Sequence, residues 1–361
     1  MERVAEKVTT VADLEGLVRE TQTRLLPRGG GSKPALSTPP EQVTSVTLSG
    51  LSGIVAYDAA EYTVVAQAGT PLAEIEQALA AHGQYLPFDP PLVAQGATVG
   101  GTIAAGLSGP RRWRYGGLRD FIIGIRFVDG QGRHVRGGGN VVKNAAGFDL
   151  PKLFVGSLGR LGILTEATFK VFPSPPAYDT LRVAVSSLAA AQTLLARIAT
   201  SALEFEAVDM VVQEGDFALY LRLGGLADAL PERMARLRAF VGDGDALDDE
   251  AAFWRERNGF GWAPPEAALA KAPLSPHKLP ALEQALAASG AARTYSVGGH
   301  LAWIAWPHAP DALDELLRAQ GLSALLLRGD APSPLLGTRI GATTLERVKG
   351  VLDPKRRFLD F

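Results

Sequence analysis

Two stretches decide how this chain is read: Pro27-Arg28-Gly29-Gly30-Gly31-Ser32-Lys33 and Gly96-Ala97-Thr98-Val99-Gly100-Gly101-Thr102-Ile103-Ala104-Ala105-Gly106. A glycine run between secondary elements ordinarily marks a turn, because glycine takes positive φ at little steric cost. These two runs offer more than turns. The first presents consecutive backbone N–H groups with no side chains in the way, the arrangement of an anion-binding nest. The second supplies another run of small residues, so the pair can lay backbone on two sides of a pyrophosphate. Neither fits G-x-G-x-x-G between a strand and a helix, and no Walker A lysine precedes a Ser or Thr, so the nicotinamide and P-loop readings are weak.

Working outward, the segment around the first loop alternates helix and strand. Thr10 is expected to cap a helix whose apolar positions Val11, Leu14, Leu17 and Val18 follow the helical period. Strand-like runs cover residues 43–48, 54–57 and 63–68. Thr70 as N-cap and Pro71 at the first helical position then predict a helix that exits at Gly83. Between Gly96 and Gly162, seventeen of 67 residues are glycine, more than twice the usual share of roughly 7%. Within this stretch Asp129-Gly130-Gln131-Gly132 predicts a hairpin turn, while Gly137-Gly138-Gly139 alone reads as a turn and no more. In residues 163–172, Thr165, Ala167, Phe169 and Val171 alternate against Leu164, Glu166, Thr168 and Lys170, the period of a strand.

Pro173-Ser174-Pro175-Pro176 marks a boundary. Beyond it lie strands and amphipathic helices, with hairpins expected at Glu214-Gly215-Asp216 and as a two-residue turn at Gly298-Gly299. Helices fit residues 188–198, 231–241, 248–257, 280–288 and 311–320. The reading is an α+β fold, with domains at 1–173 and 174–330, the second built on a mostly antiparallel sheet, and a segment 331–361 returning to the first domain.

The 361 residues carry 47% hydrophobic side chains and a formal net charge of −2 from 36 basic and 38 acidic groups. That balance gives no electrostatic footprint for nucleic acid. Cysteine is absent, which excludes disulfides, thiolate metal sites, a catalytic thiol and an iron–sulfur cluster ligated by this chain. No metal site is expected. The start, MERVAEKVTT, lacks the apolar core of a signal peptide, and no apolar run approaches the roughly 18 residues of a membrane span. A cytoplasmic protein without direct membrane insertion is the expectation.

At this point the residues carry a resemblance. The stretch Arg28-Gly29-Gly30-Gly31-Ser32, Asp89-Pro90 with the 95–106 loop, Arg114-Tyr115-Gly116, the segment Val142-Lys143-Asn144-Ala145-Ala146-Gly147-Phe148-Asp149-Leu150, and Gly156-Ser157-Leu158-Gly159-Arg160-Leu161-Gly162-Ile163 resemble, in order, the FAD domain of the vanillyl-alcohol oxidase/PCMH family. The match spans about residues 20–173. Within that family, residues 107–112 and 119–121 are most similar to the FAD-binding subunits of bacterial glycolate oxidases. The resemblance implies a PCMH-type FAD-binding domain of two α/β subdomains followed by the α+β cap. It implies that Arg28, Gly29, Gly30, Gly31 and Ser32 wrap the pyrophosphate, with Thr98, Val99, Gly100 and Gly101 closing the other side, and Gly96 among the cofactor-binding residues. It implies that Ser108, Tyr115 and Gly116 lie near the isoalloxazine ring and Ile163 near the adenine, with Ala104, Lys143, Gly147 and Gly162 completing the set. Some members link flavin covalently to a histidine in one of these loops. Here Ser32 stands in the first loop and no histidine occurs in the second, so non-covalent FAD is expected. Bulky residues at Gly30 or Gly100 are expected to release flavin while the fold survives.

The resemblance further implies a small 2-hydroxy acid as substrate, a homologous FAD subunit and an iron–sulfur subunit as partners, and membrane association only through those partners. Oxidising such an acid needs a base for the hydroxyl proton and a cation for the carboxylate. Related catalytic subunits carry a histidine pair around a metal, which this sequence lacks. Of its five histidines, His300 after the Gly298-Gly299 turn is the candidate base, with a structural role beside the hairpin as the alternative. Arg222, Arg255, Arg293 and Arg328 are the candidate carboxylate cations, each also readable as a surface or ion-pair residue. A flavin-holding subunit whose homologous partner oxidises the substrate is therefore the second reading. The closing Asp353-Pro354-Lys355-Arg356-Arg357-Phe358 resembles the family's D-P-x-x-x-F segment but continues Leu359-Asp360-Phe361 in place of N-P-G.

Overall fold

The computed structural model describes residues 5–139 and 148–361. Its contacts divide into two compact units: Met1–Gly109, Gly116–Ser174 and Ile340–Phe361 form the first, Pro110–Tyr115 and Pro175–Arg339 the second. The first unit has two main sheets. In a parallel three-stranded sheet, Val43–Thr47 lies between Ala5–Lys7 and Arg24–Arg28. The helix Val11–Glu20 begins at a capping box, in which Thr10 Oγ1 accepts the Asp13 N–H at 3.1 Å and the Asp13 carboxylate accepts the Thr10 N–H at 2.9 Å. That exchange satisfies two of the donors a helix start leaves open.

The second sheet of this unit is antiparallel, in the order Ile54–Asp58, Thr63–Gln67, Ile163–Lys170, Ile122–Val128, His134–Gly138. The 129–132 hairpin forms because the Asp129 carboxylate accepts from the Gln131 and Arg133 N–H groups at 2.9 and 3.0 Å. In the strand Ile163–Lys170, Leu164 and Thr168 are buried along with the expected inward set. Helix Val99–Ala105 packs on this strand, so both of its faces lose water. Thr70 is not the helix cap the sequence suggested. The helix Leu72–Ala80 has Pro71 at its N-cap, because the Thr70 hydroxyl is used elsewhere, accepting the Gly53 N–H at 2.9 Å and donating to the Gly53 carbonyl at 3.1 Å.

In the second unit the described strands form an antiparallel sheet of nine. Its order is Asp245–Ala246, Ala177–Val185, Asp216–Gly225, Ala207–Gln213, Ala292–Ser296, Leu301–Trp306, Ala268–Pro273, Ser323–Arg328, Leu335–Gly337. The first hairpin turns at Glu214 and Gly215 with φ of 52° and 91°, the two positive values a type I′ turn needs. The second differs from expectation. Ser296 pairs with Leu301, so the loop has four residues, and Val297, Gly298 and Gly299 all take positive φ. Gly298 seats against the Trp113 ring, where any β-carbon would collide.

Residues 331–339 stay with the second unit, because Leu335–Gly337 pairs with Ser323–Arg328. The returning segment starts at Ile340 and carries the helix Ala342–Leu352. Its tail is tied down by Phe358, fully buried and bridged to Leu25, and by the Leu25 N–H donating to the Arg357 carbonyl at 2.8 Å. No helix among the described residues is long and apolar enough to cross a membrane.

Candidate cofactor site

Three loops of the first unit meet around a cleft. The first two loops touch through backbone. A β-carbon on Gly29 would overlap Thr98 Oγ1, and one on Gly30 the Gly96 carbonyl oxygen. The third loop hangs from the helix Val99–Ala105: the Gly156 and Leu158 N–H groups donate to the Ile103 and Ala104 carbonyls, each at 2.9 Å. Gly29, Gly30, Gly31, Ser32 and Lys33 line one side of the cleft, Thr98, Gly100, Gly101 and Ala104 another, and Ser157, Leu158, Gly159 and Gly162 a third. Leu36, Leu48 and Leu164 supply apolar surface.

Backbone donors are the first thing to account for. In the second loop several are spent. Val99 N–H donates to the Thr70 carbonyl at 3.0 Å, Gly100 to Ala68 at 2.7 Å, and Gly101 to Thr98 Oγ1 at 3.3 Å. In the first loop, among the described residues, no carbonyl or side chain accepts from the N–H groups of residues 29–33. Gly31 there has φ of 73°, the left-handed step that turns successive N–H groups into a concavity.

The electrostatics point the same way. Lys33 is only 6% exposed, and its Nζ donates to Ser32 Oγ at 2.9 Å. Burial pushes its ammonium down to about 8, since desolvation disfavours the charged form. No Asp or Glu is among the described residues lining the cleft. Ser157, 3% exposed, has an Oγ without a hydrogen-bond partner. Uncommitted N–H groups, an acid-free buried ammonium and an orphaned hydroxyl fit a ligand with a phosphoanhydride; the apolar wall fits its uncharged parts.

The structure revises the role of two glycines. A β-carbon at Gly100 would sit 2.9 Å from Ala68 Cβ and 3.0 Å from the Ala68 carbonyl oxygen. At Gly30 and Gly100 the chain's own packing, rather than a ligand's approach, excludes side chains. Gly100→Ala should therefore cost the apo-protein about 1–3 kcal/mol, the usual cost of overpacking. Urea denaturation of the flavin-free chain measures it, and an unchanged midpoint would refute this packing account.

The remaining expected residues are placed as follows. Arg28 ends the strand Arg24–Arg28 with its guanidinium beside Gly31. Gly96 turns with φ of 79°, and Val99 and Ile163 are buried in the core. Ser108 Oγ accepts the Leu118 N–H at 2.9 Å. Gly116, with φ of 86°, lies against the Asp120 carboxylate, which accepts the Gly117 N–H at 2.8 Å. Tyr115 falls in the second unit, its hydroxyl on the buried Glu206 carboxylate at 3.1 Å, where Arg114 also pairs at 3.4 Å. Lys143 and Gly147 lie outside the described residues. His300 is exposed, and its Nδ1 bonds the Val297 carbonyl at 2.9 Å, closing the turn. Arg222 pairs with Glu250 at 2.9 Å, Arg293 pairs with Glu283, and Arg328 donates to the Ala267 carbonyl at 2.8 Å. No group of three or more His, Asp or Glu able to hold a metal occurs among the described residues. Sequence reasoning gave the Lys33 and Ser157 side chains no role; the signal available was their place directly after, and inside, glycine loops.

A family model described as "FAD binding domain" matches residues 3–138. Glycolate oxidase subunit GlcE of Escherichia coli (strain K12) is 48% identical over 167 residues, 46% of this chain and 47% of that protein. Glycolate oxidase subunit GlcD of Bacillus subtilis (strain 168) is 31% identical over 250 residues, 64% of this chain and 53% of that protein. A D-lactate dehydrogenase of Archaeoglobus fulgidus is 31% identical over 173 residues, 47% and 39% of the two chains. The chain thus spans about half the length of the curated relatives it matches. Among solved structures, an alkyldihydroxyacetonephosphate synthase aligns with TM-score 0.71 and 17% identity, covering 98% of this chain and 74% of that one; that likeness concerns the fold alone. The loops, the cleft they enclose and these matches agree: residues 3–138 are similar to FAD binding domains, and the cofactor they support is FAD.

Proposed function

We propose that this chain is the FAD-binding subunit of a 2-hydroxy-acid dehydrogenase complex, holding its flavin non-covalently and passing electrons to a partner. The observation that carries the reading is the acid-free cleft with its uncommitted first-loop N–H groups and the buried Lys33. Residues 29–33 would hold the pyrophosphate, and Leu36, Leu48 and Leu164 would exclude water from the uncharged parts. Bound FAD supplies a two-electron acceptor. The substrate class, glycolate or a close relative such as D-lactate, is supported by the names of the relatives. The chain has no cysteine, so onward transfer is assigned to partners, a homologous FAD subunit and an iron–sulfur subunit. A second reading, in which this subunit only holds flavin and its homologous partner oxidises the acid, is favoured by one set of contacts. The Ser108 and Tyr115 hydroxyls and the His300 ring are all engaged by the protein itself.

Purified chain should show flavin absorbance, and acid should free the chromophore into the supernatant. A colourless protein that takes up no added FAD would remove the basis of the proposal. Anaerobic addition of glycolate or D-lactate then separates the two readings. Bleaching of the flavin in the isolated chain assigns it the oxidation. A spectrum that stays oxidised until the partner subunits are added selects the second reading.

A further inference from the structure

We propose that the Lys33 ammonium is the cation with which this cleft recognises the phosphoanhydride of its cofactor, making FAD affinity depend on a single protonation at Lys33 Nζ. The proposal rests on the FAD reading above. Three observations carry it. Among the described residues lining the cleft, Lys33 is the sole ionisable side chain. It is buried, and its hydrogen-bond partner is a neutral hydroxyl, Ser32 Oγ at 2.9 Å. A β-carbon on Gly101, across the cleft, would come within 3.8 Å of Nζ, so the ammonium faces the space between the first loop and the helix Val99–Ala105.

A buried ammonium without an anion is costly, and a dianionic ligand removes that cost. The charges around Lys33 do not. The flanking helices Pro34–Ser37 and Val99–Ala105 contain no ionisable residue. The strand Arg24–Arg28 contributes Arg28, beside Gly31, and the third loop contributes Arg160, whose guanidinium lies over the Phe361 ring. Both are cations, so neither can neutralise it. With its ammonium already pushed down to about 8 by burial, free Lys33 loses its proton through mildly alkaline pH. A bound dianion favours the charged form and raises that value. FAD affinity is therefore full below about pH 8 and falls above it, by at most about tenfold per pH unit until the bound-state value is reached.

The experiment is FAD titration of the apo-chain, followed by flavin fluorescence at pH 6.5, 8.0 and 9.5, for wild type, Lys33→Met, Lys33→Gln and Lys33→Arg. We expect both neutral variants to bind roughly 10- to 100-fold more weakly at pH 6.5 and to lose the alkaline slope. Lys33→Arg should keep the affinity and flatten the slope, because guanidinium does not titrate in this range. The two neutral variants differ in shape and polarity, so a folding defect in one leaves the other to decide. Neutral variants that bind within twofold of wild type, or that retain its pH slope, overturn the proposal while leaving the FAD reading intact. A wild-type chain that binds no FAD at any of the three pH values overturns both.

Discussion

Replacing Asp353 by alanine should cost the first unit about 3–5 kcal/mol, the usual cost of breaking a buried ion pair by removing one partner. The carboxylate is fully buried and accepts three hydrogen bonds: from Lys349 Nζ at 2.8 Å, the Arg357 N–H at 2.7 Å and the Phe358 N–H at 3.0 Å. Lys349, also fully buried, donates as well to the Arg160 and Phe358 carbonyls. The Lys349–Asp353 pair thus joins the helix Ala342–Leu352, the tail and the third cofactor loop. Without it an ammonium and two N–H groups are left in the core. Burial already holds the Lys349 ammonium below the ordinary lysine range, so its charge has little to spare. Lys349→Met in the Asp353→Ala background should recover part of the loss, since the unpaired charge, more than the missing bond, is the penalty. Thermal unfolding of the two single variants and the double variant measures this. Additive losses would show that the two residues do not act as a pair.

Ala104→Phe should weaken FAD binding more than roughly hundredfold, about 2.7 kcal/mol, while the apo-chain keeps its fold. Ala104 is half-buried in the helix Val99–Ala105 and lines the cleft. Its β-carbon is already present, so the added ring extends into space a ligand needs rather than into backbone. Gly30 and Gly100 make the contrast, since their β-carbons would meet Gly96 and Ala68 instead. Fluorescence titration with FAD and a melting curve of the apo-chain test the claim together. Tight FAD binding by a folded Ala104→Phe chain would move the cofactor out of this cleft.

Much of the local structure was legible in the sequence because it is locally determined. The Thr10–Asp13 capping box, the Asp129 turn and the Glu214-Gly215 hairpin each depend on residues within four positions of one another. Where a distant contact competes, the local reading fails. Thr70 caps no helix because Gly53 claims its hydroxyl, and the Gly298-Gly299 turn is wider than expected, with Gly298 packed on Trp113. The six residues Pro110–Tyr115, which motif order groups with the cofactor loops, join the second unit. No periodicity carries that information.

The cofactor site divides along the same line. By itself the sequence determined which chemistries are absent, through the lack of cysteine, and which backbone can approach an anion, through the two glycine loops. Only the tertiary structure decided which loop has donors left to give. The Val99 and Gly100 N–H groups are consumed by the carbonyls of Thr70 and Ala68, some thirty residues earlier in the chain, whereas among the described residues those of 29–33 have no acceptor. It likewise decided that Lys33 is buried with no acid among the described residues lining the cleft. Donor capacity and charge are properties of residues, but whether they are already satisfied depends on neighbours that only the folded chain brings together.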